Sequence, residues 1–217
     1  MLVHNKVLLF DFETTGLYAN SDEIIEVGAI LLEKQGDLYK VSKELNLLVK
    51  AGKKLPEKII EITNITDYML ETEGVSQEKA FHEFFNMYKD ENTLLVAYNI
   101  LFDIQFLISW MKRFYNKNFE LNNDVLDVMA IYKDRHKYPH RLEQAVLTYG
   151  IEEPNTHRAL DDTKAMLEVL KKMHMEKDNI EKYINIIGYN PKYPPRVRFP
   201  HITFIPQKGG MREIENK

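Results

Sequence analysis

The first apolar run of the chain, Lys6–Phe12 (KVLLFDF), has the length of one buried strand and ends in the turn-forming Thr14-Thr15-Gly16. Ile24–Lys34 predicts a second strand, and a Gln35-Gly36-Asp37 turn leads into a third over about Leu38–Val49. Strands joined by such short links pair antiparallel, so this part of the chain predicts a meander.

From Ser76 the apolar period becomes helical. Ala80, Phe84, Phe85 and Tyr88 fall at helical spacing, and Ser76 sits where an N-cap belongs. Thr93–Tyr98 predicts a fourth strand, Phe102–Phe114 a helix carrying Phe102, Phe106, Ile108 and Trp110, and Val125–Val128 a short fifth strand. A helical pattern resumes at about Met129. Arg141–Tyr149 and Arg158–Lys172 predict two more helices, the second with Asn155 and Thr156 as candidate caps. Helices alternating with strands imply parallel crossovers joined onto the meander, an α/β fold class. The character shifts again at Tyr189. Tyr189–Gly210 holds five prolines, four Lys/Arg and no acid, which excludes a long helix. The expected organisation is one domain over 1–188 and a Pro-rich basic arm over 189–217.

Composition narrows the chemistry. With 217 residues, 44% hydrophobic, the chain can bury a sizeable core. The absence of cysteine excludes a disulfide scaffold, a zinc–thiolate site and a thiol nucleophile. A net charge of −4 argues against a polycationic grip on long duplexes. Asn92–Met111 carries a single charge, Asp103, over twenty residues. A central Asp costs about 2.5–3.5 kcal/mol in a bilayer, and polar residues are scattered through the stretch, so a strand followed by a helix is expected and no membrane span. Met1–Phe10 runs at once into Asp11 and Glu13 and makes no signal peptide, so the expected location is the cytoplasm.

Asp11 and Glu13 alternate along the first strand and project from one face, where two like charges repel unless a cation neutralises them. Asp103 opens a helix just after the fourth strand. His157, Asp161 and Asp162 cluster at the start of another helix, where positions 161 and 162 stand about 100° apart, so at most one acid can enter a shared site. Strand ends and helix starts converge on one edge of such a sheet. Four carboxylates and one histidine there suit hydrolysis of a phosphate ester by two divalent cations held about 3.5–4 Å apart. Oxygen ligands without sulfur favour Mg²⁺ or Mn²⁺, and an imidazole is a suitable general base for the water.

Three segments carry a resemblance: Asp11-Phe-Glu13-Thr-Thr-Gly16-Leu17, Asn99-Ile-Leu-Phe-Asp103 and His157-Arg-Ala-Leu-Asp-Asp162. Together they resemble the exonuclease motifs of the DEDDh 3′–5′ exonucleases, closest in look to the DnaQ-like proofreading subunit of bacterial DNA polymerase III. Ile24-Ile-Glu-Val-Gly28-Ala resembles that family's second strand, Ile65-Thr66-Asp67 its short turn and Val125-Leu-Asp127 its fifth strand, so the likeness runs from about Val7 to Met173. It implies a ribonuclease H-like fold, a five-stranded mixed sheet flanked by helices. It also implies that Asp11 bridges two metals, that Glu13 and Asp162 complete the first site, that Asp103 acts through a water and that His157 is the general base. The family's spacing selects Asp162 over Asp161. The backbone at Thr14, Thr15 and Gly16 would hold the terminal nucleotide, with Leu17 and Phe102 against bases and Asn99 beside them. The chain departs from the family where Tyr98 replaces a frequent histidine, which bears on packing or substrate contact rather than on metal ligation.

The substrate expected is the 3′ end of single-stranded DNA. RNA fits the same chemistry, and a binding module on a nuclease scaffold is a further reading, against which stand all four acids and the histidine. A polymerase partner is compatible with the resemblance, but the chain carries no clamp-binding box. Lys133–Arg141 (KDRHKYPHR) is a candidate strand-guiding loop, and Lys192, Tyr193, Arg196, Arg198 and Phe199 could meet single-stranded bases or, more simply, pack on the domain.

Overall fold

The computed structural model describes residues 3–88, 90–152, 157–209 and 211–216. Strands β1 (Lys6–Thr14), β2 (Ile24–Gln35) and β3 (Leu38–Leu48) form the antiparallel meander. Helices α1 (Glu57–Thr63), α2 (Asp67–Glu73) and α3 (Gln77–Tyr88) follow, then β4 (Leu94–Ala97), α4 (Ile100–Phe114), β5 (Val125–Asp127), α5 (Val128–Arg135), α6 (Leu142–Tyr149) and α7 (Ala159–Glu176). The sheet order is β3-β2-β1-β4-β5, with β4 and β5 parallel to β1. Its five strands, three antiparallel and two added in parallel, make the mixed sheet that the sequence pattern predicts.

Central β1 is apolar on both faces because both faces are covered. Leu8, Phe10 and Phe12 pack under α3 and α4 against Phe81, Phe84, Leu107 and Trp110. Val7 and Leu9 face α5, α6 and α7 through Ile131, Ala145, Met166 and Val169. The position of α7 depends on Gly28. A Cβ there would lie 2.1 Å from the backbone carbon of Ala159, so only glycine lets the helix start rest against β2. Thr163 Oγ1 adds a 3.3 Å hydrogen bond to the Gly28 carbonyl.

The pattern predicts no helix between the third strand and Ser76, yet α1 and α2 stand there. Each has seven residues, too few for a helical period to show. Thr66 caps α2 by accepting from Met69 N at 3.2 Å, and Ile65 and Leu70 bury against Ile25 and Leu48 at the end of the meander. Ser76 Oγ accepts from Lys79 N as an N-cap of α3. The expected caps Asn155 and Thr156 lie outside the described residues; Arg158 is the N-cap of α7 and makes no side-chain cap bond.

Beyond α7 a 3₁₀ turn (Ile180–Tyr183) leads to β6 (Ile186–Tyr189), which pairs in parallel with β7 (Thr203–Pro206). The residue expected to end the domain, 188, falls inside β6. Asn185 covers the outer edge of β5, donating its N–H to the Val125 carbonyl and accepting from Val125 N at its side chain. Buried Asp134 accepts from Ile214 N, Glu215 N and the Tyr183 hydroxyl, which ties the C-terminal residues to α5. Asn92–Met111 divides into β4 and most of α4, and among the described residues no helix is long and apolar enough to cross a membrane.

Gly28→Ala should therefore push α7 off β2. Urea unfolding should show a loss of about 1–3 kcal/mol, the usual cost of overpacking. An unchanged midpoint would mean that the helix start does not bear on this glycine.

Candidate active site

Asp11 and Glu13 sit at the C-terminal end of β1, on the face that α7 covers. β4 pairs with β1 only over Val7–Leu9, so the edge of β1 beyond Leu9 is open on that side. Asp103, in the first turn of α4, fills this gap: its Oδ1 accepts from Phe12 N at 3.1 Å, between the two strand acids. On the other side Asp11 lies opposite Gly28, and Glu13 opposite Glu26. With α7 resting on Gly28, Asp162 in its first turn reaches the strand acids. Asp11, Glu13 and Asp162 offer carboxylate oxygens that all lie within 4.8 Å of one another.

Such proximity is electrostatically unfavourable. Burial pushes the Asp11 carboxyl up to about 8, with further contributions from Asp162 and Glu26. Glu13 rises to about 9 through burial and then Asp11, Asp162 and Glu26, with Arg158 pulling the other way. Asp103, 2% exposed, is raised well above the ordinary carboxylate range by burial and by Asp11, against the Phe12 N–H. A divalent cation would remove this penalty. The donors are carboxylate oxygens with no sulfur, which fits Mg²⁺ or Mn²⁺.

The family model described as Exonuclease matches residues 8–170. The chain belongs to this exonuclease family. It is 32% identical over 216 residues to the PolC-type DNA polymerase III of Thermotoga maritima, covering 95% of this chain and 15% of that one. It is 33% identical over 187 residues to the DNA polymerase III epsilon subunit of Treponema pallidum, covering 82% of each. E. coli exonuclease I solved with a dT13 oligonucleotide superposes at a TM-score of 0.70 and 19% identity, over 82% of this chain and 43% of that one. These relatives are DnaQ-like DEDD exonucleases, and the sheet is the ribonuclease H-like one. The chain spans 15% of the length of the PolC-type polymerase, so it corresponds to a part of that protein.

Within the exonuclease fold the other expected site residues fall around the acids. His157 is exposed, takes a left-handed φ of 55° just before α7, and is not among the side chains gathered within 4.8 Å. Asp161 stays outside that group as well, as the 100° step along a helix requires. Buried Thr15 links the ends of the loop after β1: its N–H donates to the Glu23 carbonyl, and its Oγ1 accepts from Glu23 N and donates to Asp22 Oδ1. Thr14 Oγ1 donates to the Gly16 carbonyl at 2.6 Å, and a Cβ at Gly16 would strike the Asp22 carboxylate. Leu17 and Tyr18 project from this loop, 74% and 68% exposed. Asn99 adopts a left-handed φ of 68° as N-cap of α4, its N–H held by Asp127 Oδ1 at 3.0 Å. Phe102 is half-buried against Phe106. Tyr98 donates its hydroxyl to the His140 carbonyl at 2.8 Å, a packing contact.

Two sequence readings need revision. Lys133–Arg141, the candidate strand-guiding loop, is only in part a loop. Lys133 and Arg135 lie in α5, and Arg135 turns inward to the Met173 carbonyl and Asn179 Oδ1, its charge committed to joining α5 to the end of α7. Of its basic residues, only Lys137 and Arg141 are exposed. The second revision adds Glu26, to which the sequence reading assigns no role. It is fully buried beside Glu13 and bound to Arg158 and Ala159 N. A glutamate inside the apolar run IIEVGAILL was the available signal, because a buried charge needs a partner.

The raised carboxyl groups set a pH dependence. Above about pH 4 an unfolded carboxyl is ionised while the folded one keeps its proton, so folding loses stability as pH rises until Asp11 and Glu13 ionise near 8 and 9. In excess chelator the thermal midpoint should fall from about pH 5 to about pH 8. Asp11→Asn should flatten that fall, and Mn²⁺ should stabilise the wild-type protein more at the higher pH. Differential scanning fluorimetry tests this; a lower chelated midpoint for Asp11→Asn at about pH 8 would contradict it.

Proposed function

We propose that this exonuclease is a cytoplasmic hydrolase that removes nucleotides from the 3′ end of single-stranded DNA. Asp11, Glu13, Asp162 and Asp103 would serve two divalent cations, and His157 would act as general base. The observation that carries this reading is the convergence of Asp11, Glu13 and Asp162 within 4.8 Å in a chain of the exonuclease family. Cations bound there would supply electrophilic stabilisation of the phosphate and a nucleophile at neutral pH.

The residues divide the remaining work. Asp11 and Glu13, fixed on a central strand, and Asp162, fixed by the contact of α7 with β2, would hold the cations without rearranging. Asp103 would add negative charge from the open edge of β1 while its bond to Phe12 N keeps that strand end in place. His157, at the exposed entry to α7, would accept the proton of the attacking water. The loop Thr14–Leu17, closed on itself through Asp22 and Glu23, would present backbone groups to the terminal nucleotide. Exposed Leu17 and half-buried Phe102 offer apolar surface to its base, with Asn99 at the same helix start. The likeness to E. coli exonuclease I, solved in complex with a dT13 oligonucleotide, and to DNA polymerase III proteins supports single-stranded DNA and a setting beside a polymerase. Residues 1–188 would form the nuclease and 189–217 an arm strapped across its far edge.

A 5′-labelled oligonucleotide should shorten stepwise from its 3′ end with Mg²⁺ or Mn²⁺ and stay intact with chelator. Asp11→Ala should abolish this shortening, and full activity in that variant would refute the metal assignment. Asp162→Asn should be crippling and Asp161→Asn mild. His157→Ala should lower turnover by about 10²–10⁴-fold while Mn²⁺ still raises the thermal midpoint. Matched RNA degraded as fast as DNA, or faster, would replace DNA as the substrate.

A further inference from the structure

Glu26 belongs to the site without belonging to the gathered acids. It lies opposite Glu13 in the register of β1 and β2, on the same face, and is 0% exposed. A carboxylate in that position is costly unless its lone pairs are engaged. Oε1 accepts from Arg158 Nε at 2.9 Å and Nη2 at 2.7 Å, and Oε2 accepts from Ala159 N at 3.0 Å. Both oxygens are committed to the start of α7, and the guanidinium neutralises the charge, so this carboxylate is not available to ligate a cation.

What the carboxylate holds is decisive for the site. Ala159 N is among the N–H groups that a helix start leaves without an internal partner, and the N-cap Arg158 supplies no side-chain bond of its own. The Arg158 carbonyl receives the N–H of Asp162 at 3.0 Å, the bond that sets the backbone of that acid. The residue before Arg158 is His157, whose left-handed φ of 55° is unfavourable for a side-chain-bearing residue and persists only where neighbours fix it. A single buried carboxylate thus grips the first two of the four residues between His157 and Asp162.

We infer that Glu26 is a positioning residue: through Arg158 and Ala159 N it fixes the start of α7, and with it Asp162 and His157, relative to Asp11 and Glu13. The inference rests on the hydrolysis proposed above for this site. It differs from a purely stabilising role because the clamp sets the aim of reacting groups rather than the affinity for the nucleic acid.

The test uses the full chain with Glu26→Gln, Arg158→Ala and the double variant. Glu26→Gln keeps the shape and needs no counter-ion, and Arg158, about a third exposed, can turn to solvent. Amides 159–163 should exchange with deuterium faster in the metal-free variant than in wild type. Turnover of a single-stranded DNA 3′ end should fall about 10–100-fold, the usual effect of losing a group that orients metal ligands, with KM changed less than about threefold. Arg158→Ala should lose turnover similarly, and the double variant should be no worse than the worse single, since both changes break one unit. Glu26→Gln with kcat within about twofold of wild type, or losses that multiply in the double variant, would overturn the proposal. Should Glu26→Gln fail to fold, unchanged kcat in Arg158→Ala overturns it by itself. A wild-type protein inert toward every 3′ end would sink the hydrolysis instead; the clamp would then be refuted by unchanged exchange at 159–163 in Glu26→Gln.

Discussion

Three carboxylates held within 4.8 Å of one another are the constraint around which the remainder of this fold is arranged. Burial is the larger cost for the Asp11 and Glu13 carboxyls, and the like charges gathered beside them add to it. Left to themselves the side chains would separate into solvent. They stay because each is fixed by backbone that cannot move: two on a strand buried on both faces, one on a helix pressed against bare backbone at Gly28. The apolar packing supplies the free energy that holds an unfavourable charge arrangement in place for a cation.

The supports come from both sides of the sheet and do not interchange. Under α3 and α4, Phe10, Phe12, Phe84 and Trp110 interlock with ring centroids 5.2–5.7 Å apart, which fixes the strand end bearing the acids. Across the sheet, Met166, Val169 and Met173 fix the long axis of α7, while its start is set by Glu26 and Gly28. At the far end Asp134, Asn185 and Gln207 bind the C-terminal residues and β6–β7 to α5 and β5, covering an edge strand that would otherwise stay open. Rigid supports on both faces leave the loop after β1, with exposed Leu17 and Tyr18, as the adaptable surface beside the acids.

Much of this could be read along the chain because it is local. The meander shows in its alternation and short turns, the crossovers in the change of period, and the acids in their place at strand ends and helix starts. What could not be read depends on partners far apart in sequence. Helices α1 and α2 are too short to show a period and exist because Ile65 and Leu70 find Ile25 and Leu48. The basic look of Lys133–Arg141 suggested a phosphate path, yet Arg135 is consumed by carbonyl and amide groups some forty residues away. Glu26 looked like one polar position in a strand until Arg158, 132 residues later, was placed on it.

The sequence by itself therefore determined the order of the five sheet strands and the longer helices between them, the sheet type, and the residue types able to bind a hard cation, since periodicity and ligand chemistry are written locally. Tertiary structure decided how closely those acids meet and what holds them there. It brought Asp162 to Asp11 and Glu13 with Asp161 apart, it set Asp103 on the backbone of Phe12, and it bound Glu26 to Arg158 and Ala159 N. The physical reason is that convergence depends on how closely α7 can approach β2, and that distance is set by a missing side chain at Gly28 and by the bonds of buried Glu26 to Arg158 and Ala159 N, both of which act only once the chain has folded.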